Sequence, residues 1–139
     1  MAGIMLTFVI PAAPGKNRLY RNVSASERAR AHALGLKLRG RRRTQDYNVW
    51  RYAAGWAMRM DGSHARTWEP LTGPVTVEII TGNPRQDSDA SIPAIFDLFT
   101  EMRVWLDDRQ VASHTVRRGP NTRETVVIVR PVEAEARAA

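Results

Sequence analysis

From Val75 to Thr81 the chain alternates, with Val75, Val77 and Ile79 on one face, Glu78 on the other, and Gly73-Pro74 and Gly82 as breakers at the ends. A period of two commits such a stretch to a strand whose apolar face must be covered. Other segments fit the same sheet. Met5 to Ile10 reads as a buried strand ending at Pro11, and Val111 to Arg118 and Thr125 to Val129 as two more, separated by Gly119-Pro120-Asn121. Helical patterns lie between them. The first starts after Ser24 or Ser26, carries Glu27 in its first turn and runs to about Leu38 before Gly40. A second starts near Thr44 and stops near Gly62, and its stripe of Val49, Tyr52, Ala53, Trp56 and Met60 is expected to be core. A third is opened by Asp87-Ser88-Asp89, with Ser91 as a cap candidate, Pro93 in the first turn and Ile92, Ile95, Phe96 and Phe99 as its apolar face. Arg39, Arg41, Arg42 and Arg43 form a basic connector. Interleaved strands and helices predict a single small α/β domain over residues 1–132, with 133–139 a disordered tail.

A chain of 139 residues, 43% of them hydrophobic, is long enough for one core and too short to expect two. Its formal net charge is +7, and the cations are nineteen arginines against Lys16 and Lys37. The planar guanidinium suits bidentate phosphate contacts, so this balance favours a polyanionic partner. The absence of cysteine excludes disulfide scaffolds, thiolate zinc sites and cysteine nucleophiles. Ile4 to Pro14 is apolar but lacks a basic lead and is far too short to span a bilayer. Neither signal peptide nor anchor is expected, and the reading is a cytoplasmic protein without membrane contact.

Against this positive background, five of the seven aspartates fall in one window: Asp87, Asp89, Asp97, Asp107 and Asp108. Carboxylates so dense repel one another and favour a bound cation. An extended Asp87-x-Asp89 would present both side chains on one face, although a carboxylate ahead of a helix is also simply a good cap. Asp107-Asp108 sits between Val104-Trp105-Leu106 and Gln110-Val111 rather than in a polar tail. Magnesium prefers oxygen ligands from a few carboxylates and activates water for phosphodiester hydrolysis. His32, His64 and His114 lack ligand spacing, and no catalytic triad order or phosphate-cradling glycine loop stands out.

Asp87-Ser88-Asp89, then Phe96-Asp97-Leu98, then Trp105-Leu106-Asp107-Asp108-Arg109-Gln110-Val111 resembles the RusA family of Holliday junction resolvases. Pro14-Gly15-Lys16-Asn17-Arg18-Leu19-Tyr20-Arg21 is similar to that family's segment after the first strand. The resemblance covers roughly a third of the chain. It implies a homodimeric α/β domain, a mixed β-sheet packed by helices, that binds four-way DNA junctions and cuts them symmetrically with magnesium, manganese being a substitute. On this carry-over Asp87, Asp89 and Asp108 are the catalytic, metal-holding positions. Asp107 is a further metal ligand and Asp97 a supporting acid. Lys16, Asn17, Arg18, Arg21, Arg41, Arg42, Arg43 and Arg85 are read as DNA contacts. The family's asparagine and lysine after the second aspartate are Ala90 and Pro93 here. The charge of that lysine would have to come from Arg85, Lys16 or the arginine connector. The alternative is a weakened or inactive protein of the same fold that still binds branched DNA.

Overall fold

The computed structural model describes residues 5–36, 40–60, 68–82, 89–120 and 122–132. In chain order these form β1 (Leu6–Pro11), β2 (Tyr20–Asn22), α1 (Ala25–Ala33), β3 (Arg41–Arg43), α2 (Gln45–Met60), β4 (Val75–Thr81), α3 (Ile92–Glu101), β5 (Val111–Arg118) and β6 (Glu124–Pro131). Short 3-10 turns cover Lys16–Arg18 and Asp108–Gln110. The fold is a small α/β domain built on a mixed sheet.

Four strands lie in the order β1-β6-β4-β5. β6 pairs antiparallel with both β1 and β4, while β4 and β5 run parallel. A parallel pair needs a crossover, and α3 supplies it. β4 therefore separates β5 from β6 although those two strands follow one another in the chain. Val77 stands opposite Val129 on one side and His114 on the other. This register puts Val75, Val77 and Ile79 on one face with Leu6, Phe8, Ile10, Val127 and Val129, all buried. Tyr47, Trp50, Ala54 and Met58 of α2 and Ala94, Ile95, Leu98 and Phe99 of α3 close over that face. Phe8 meets Phe99 and Trp68 edge-on at 5.2 and 5.3 Å. The strand expected at Val75 to Thr81 has those bounds, and Glu78 is turned away from the core as expected.

Several expectations are corrected. The stripe of Val49, Tyr52, Ala53, Trp56 and Met60 is not core: its four large members are 61, 71, 53 and 59% exposed. Buried instead are Tyr47, Trp50, Arg51, Ala54 and Met58. The first helix ends at Ala33, not near Leu38. Gly35 adopts φ 73°, its amide bonds the His32 carbonyl, and the Leu36 amide bonds that of Ala31, a Schellman stop that glycine favours. Arg41–Arg43 is not a bare connector but a strand paired with Tyr20–Asn22. The third helix begins at Ile92 rather than at the acidic triplet. Ser91 holds its N-cap position but makes no side-chain cap bond. The approaches to Leu38 and Gly62, and the 133–139 tail, lie outside the described residues. Among the described residues no helix is long and apolar enough to cross a membrane.

Candidate functional site

Thr44 ties the N-terminal loop to the second helix. Its hydroxyl donates to the Arg18 carbonyl at 2.6 Å and accepts from the Tyr47 amide at 3.1 Å, capping α2, while its own amide bonds the Leu19 carbonyl. The Trp50 indole N–H donates to the Pro11 carbonyl at 2.8 Å. The loop after β1 is thus fastened along α2. Its far side reaches the acidic segment, where the Lys16 amide donates to the Ala90 carbonyl at 3.1 Å. Between loop and helix lies a cleft of about 860 Å³, with Lys16, Asn17 and Arg18 on one wall, Asp46, Val49 and Trp50 on the other, and Ala90 at its border.

Asp89 is exposed in the turn that leads to α3, and its carbonyl accepts from the Ile92 amide at 3.2 Å. At the other end of α3 the chain reverses through Arg103, a non-glycine residue at φ 61°. It then buries Val104 and Trp105 completely. The Trp105 indole donates to the Thr100 hydroxyl at 2.7 Å. This anchor delivers Asp107 and Asp108 to the surface. Asp107 caps the 3-10 turn by accepting from the Arg109 amide at 2.9 Å, and that bond, aided by Asp108 and the Arg109 charge, holds its carboxyl below the usual range. Gln110 fixes the turn from within. Its side-chain oxygen accepts from the Leu106 and Asp107 amides at 2.8 and 3.0 Å, and its amide donates to the Leu71 and Gly73 carbonyls at 2.7 and 2.9 Å.

A second cleft, about 470 Å³, has Asp107 and Asp108 on one side, Pro93, Phe96 and Asp97 of α3 on another, and Leu19, Tyr20 and Tyr47 closing it. Asp97 is not a free carboxylate. Its Oδ2 accepts from the Tyr47 hydroxyl at 2.8 Å and from Arg51 Nη1 at 3.0 Å, and buried Arg51 also pairs with Glu101. Burial first, then Asp97, pushes the Tyr47 phenol up to about 12.

The structure thus brings Asp97, Asp107 and Asp108 to one cleft and sets Ala90, which follows exposed Asp89 in the chain, beside Lys16 on the border of the other. Asp87 and Arg85 lie outside the described residues. Ionised, oxygen-only donors suit a hard cation. Among the described residues, however, no three acidic or histidine side chains are gathered closely enough to enclose one. His114 lies on β5 with its ring 5.6 Å from that of Phe96, a packing contact. The arginines divide into two groups. Arg21 and Arg42 both bind Glu27, at 2.7 and 2.8 Å, and the Arg21 and Ser24 hydrogen bonds hold that carboxyl well below the usual range. Arg41 instead lies over the Tyr20 ring and Arg43 over that of Tyr47, at 5.4 and 5.9 Å. Gln110 and Tyr47 carried no signal in the pattern, because the side-chain hydrogen bonds that each makes are not reported by periodicity. No family model matches the chain, and no curated protein is similar enough in sequence to stand as a relative.

Proposed function

We propose that this chain is a metal-dependent, structure-selective DNA endonuclease of the RusA kind that resolves four-way junctions by symmetric phosphodiester hydrolysis. One observation carries the reading. The two stretches that resemble that family are distant in sequence yet adjacent in space: Lys16 is bonded to Ala90, and Leu19 and Tyr20 share a cleft with Asp107 and Asp108. Magnesium, or manganese in its place, would be held by Asp87, Asp89, Asp108 and Asp107 and supply Lewis acidity at the scissile phosphate. Lys16, Asn17, Arg18, Arg41 and Arg43 bind and orient the phosphate backbone without reading sequence, so selectivity rests on junction shape and on paired sites in a dimer. Gln110 keeps the two aspartates of the turn in place.

A second reading, a junction-binding protein with weakened or lost catalysis, is favoured by Pro93. It stands where the family has a lysine, and among the described residues the cleft it lines includes no cationic side chain. Arg43, over the Tyr47 wall of that cleft, and Lys16, beside Ala90, are the described cations placed to substitute.

The test is cleavage of an end-labelled, immobile four-way junction and of linear duplex, with magnesium and with chelator. Symmetric nicks that need the metal and fall about 100-fold or more in Asp108→Asn are expected. Tight junction binding without any cut would favour the second reading and make Pro93→Lys the informative variant. Equal treatment of junction and duplex would overturn both.

A further inference from the structure

Two chemistries face each other across the cleft of about 860 Å³. On the loop wall stand Lys16 and Arg18, and among the described residues neither side chain is taken up by an acid, unlike Arg21 and Arg42 on Glu27. On the helix wall stand Val49 and Ala53. At 100° per residue those two fall within about 60° of Trp56 and Met60, so the wall continues out of the cleft as an apolar strip about 16 Å long on the surface of α2. Tyr52 flanks the strip, and Val49, Tyr52, Trp56 and Met60 are each more than half exposed. The Tyr52 and Trp56 rings meet edge to face, with centroids 6.4 Å apart, rather than stacking on one another, which leaves aromatic faces open to a flat ligand. Asp46, in the first turn of α2, lines the cleft on the helix side and repels an anion from that wall.

We propose that this trough binds an unpaired nucleotide strand, with its phosphates along the Lys16 and Arg18 wall and its bases laid on the apolar strip and the Tyr52–Trp56 pair. A ligand that satisfies both walls must be anionic along one edge and offer flat apolar faces along the other, and a single strand repeats that pattern at every nucleotide. Duplex DNA encloses its base faces, so an aromatic strip gives it nothing and only unstacked bases can cover one. Asp46 sets the orientation, because it holds phosphate to the loop and away from the helix. Stacking tolerates every base, so the trough responds to the absence of pairing rather than to sequence. Such binding needs neither metal nor junction. It rests on the endonuclease reading only for the source of the strand, the unpaired nucleotides at a branch point, since the Lys16 wall is bonded to Ala90 at the acidic segment.

The experiment is fluorescence anisotropy of the full chain with a labelled short oligothymidylate, an abasic oligomer of the same length and a linear duplex, all with chelator present. The abasic strand keeps the phosphates and lacks the bases. Wild type is expected to bind oligothymidylate about 10-fold or more tighter than the abasic strand. Trp56→Ala and Tyr52→Ala, each checked for folding by circular dichroism, should remove much of that difference and leave abasic and duplex affinities unchanged. Arg18→Ala should instead weaken both single strands alike and reduce the slope of log affinity against log salt by about 0.7. Oligothymidylate should also quench intrinsic fluorescence, and Trp56→Ala should abolish that quench. Equal affinity for oligothymidylate and abasic strand would overturn the proposal. So would thymidylate binding indifferent to both aromatic substitutions. Sedimentation without DNA closes the remaining route: a wild-type dimer that Trp56→Ala dissociates would give the strip to a second copy and overturn it as well. None of these readouts involves metal, cutting or a four-way junction, so failure here and failure of the endonuclease reading are separate results.

Discussion

Tyr47 joins the core to the acidic cleft through one oxygen. Its ring is fully buried against Trp50 and Tyr20, yet its hydroxyl donates to Asp97 and accepts from Arg51. Ionising it would place a second negative charge beside Asp97 in a site shielded from water, so the phenol keeps its proton to about 12 against an ordinary value of 10.0. Because the folded pKa is raised, this interaction contributes in full below pH 10 and is lost as pH climbs from 10 toward 12. Subtracting the phenolate absorbance titration of Tyr47→Phe from that of wild type should leave one transition centred near the upper value. Stability of the variant should also fall less steeply across the same window. A difference transition at the ordinary tyrosine value would mean that the Tyr47–Asp97 bond is not made in solution. The same geometry assigns Asp97 its work: it ties α2 to α3 through Tyr47 and Arg51 at the edge of the cleft it lines.

At the scale of elements, the turn Asp107–Gln110 is fixed mainly by the Gln110 side chain, which makes four hydrogen bonds beside the Asp107 cap. Gln110→Ala would leave two amides and two carbonyls to find water and is expected to destabilise the fold by about 2 kcal/mol, read as a lower urea midpoint at unchanged slope. On the proposed function it would also reduce cleavage while sparing junction affinity, since phosphate contacts lie elsewhere. Period-two segments were legible where one face of the strand is buried: β4 has the expected bounds, and β1 begins and ends within a residue of its expected span. The α2 stripe misled for a physical reason. This helix carries two apolar faces, Trp50, Ala54 and Met58 on one side and Val49, Tyr52, Trp56 and Met60 on the other, and periodicity alone does not rank them. Choosing the aromatic-rich side picked the exposed one, and buried Arg51 was invisible because its partners Asp97 and Glu101 are far along the chain. β2 and β3 went unseen because all six of their residues are exposed and three are consecutive arginines, leaving no hydrophobic signal. The burial expected ahead of Asp107 and Asp108 holds for Val104 and Trp105 and not for Leu106, which is exposed. The bond from Lys16 to Ala90 was not legible, since a single backbone hydrogen bond between distant loops leaves no trace in composition or period.

For the molecule as a whole, net charge overstates what a polyanion can use. Glu27 is ionised at any ordinary pH and binds Arg21 and Arg42 together, so part of the charge on the β2–β3 ribbon is neutralised internally. Arg41 and Arg43 rest on aromatic rings, which orient the guanidinium without cancelling its charge. Each arginine that neutralises a phosphate releases counterions, steepening the fall of log affinity with log salt by about 0.9 per contact on duplex DNA. Fluorescence anisotropy of a labelled four-way junction, measured across a range of sodium chloride with chelator present to prevent cutting, should therefore separate the two groups. Arg41→Ala and Arg43→Ala are each expected to reduce the slope by about 1. Arg42→Ala should change it by less, because its charge is already shared with Glu27, and Glu27→Gln should steepen it by releasing both bound arginines toward the phosphates. Equal slopes for all four variants would place the DNA path away from the ribbon.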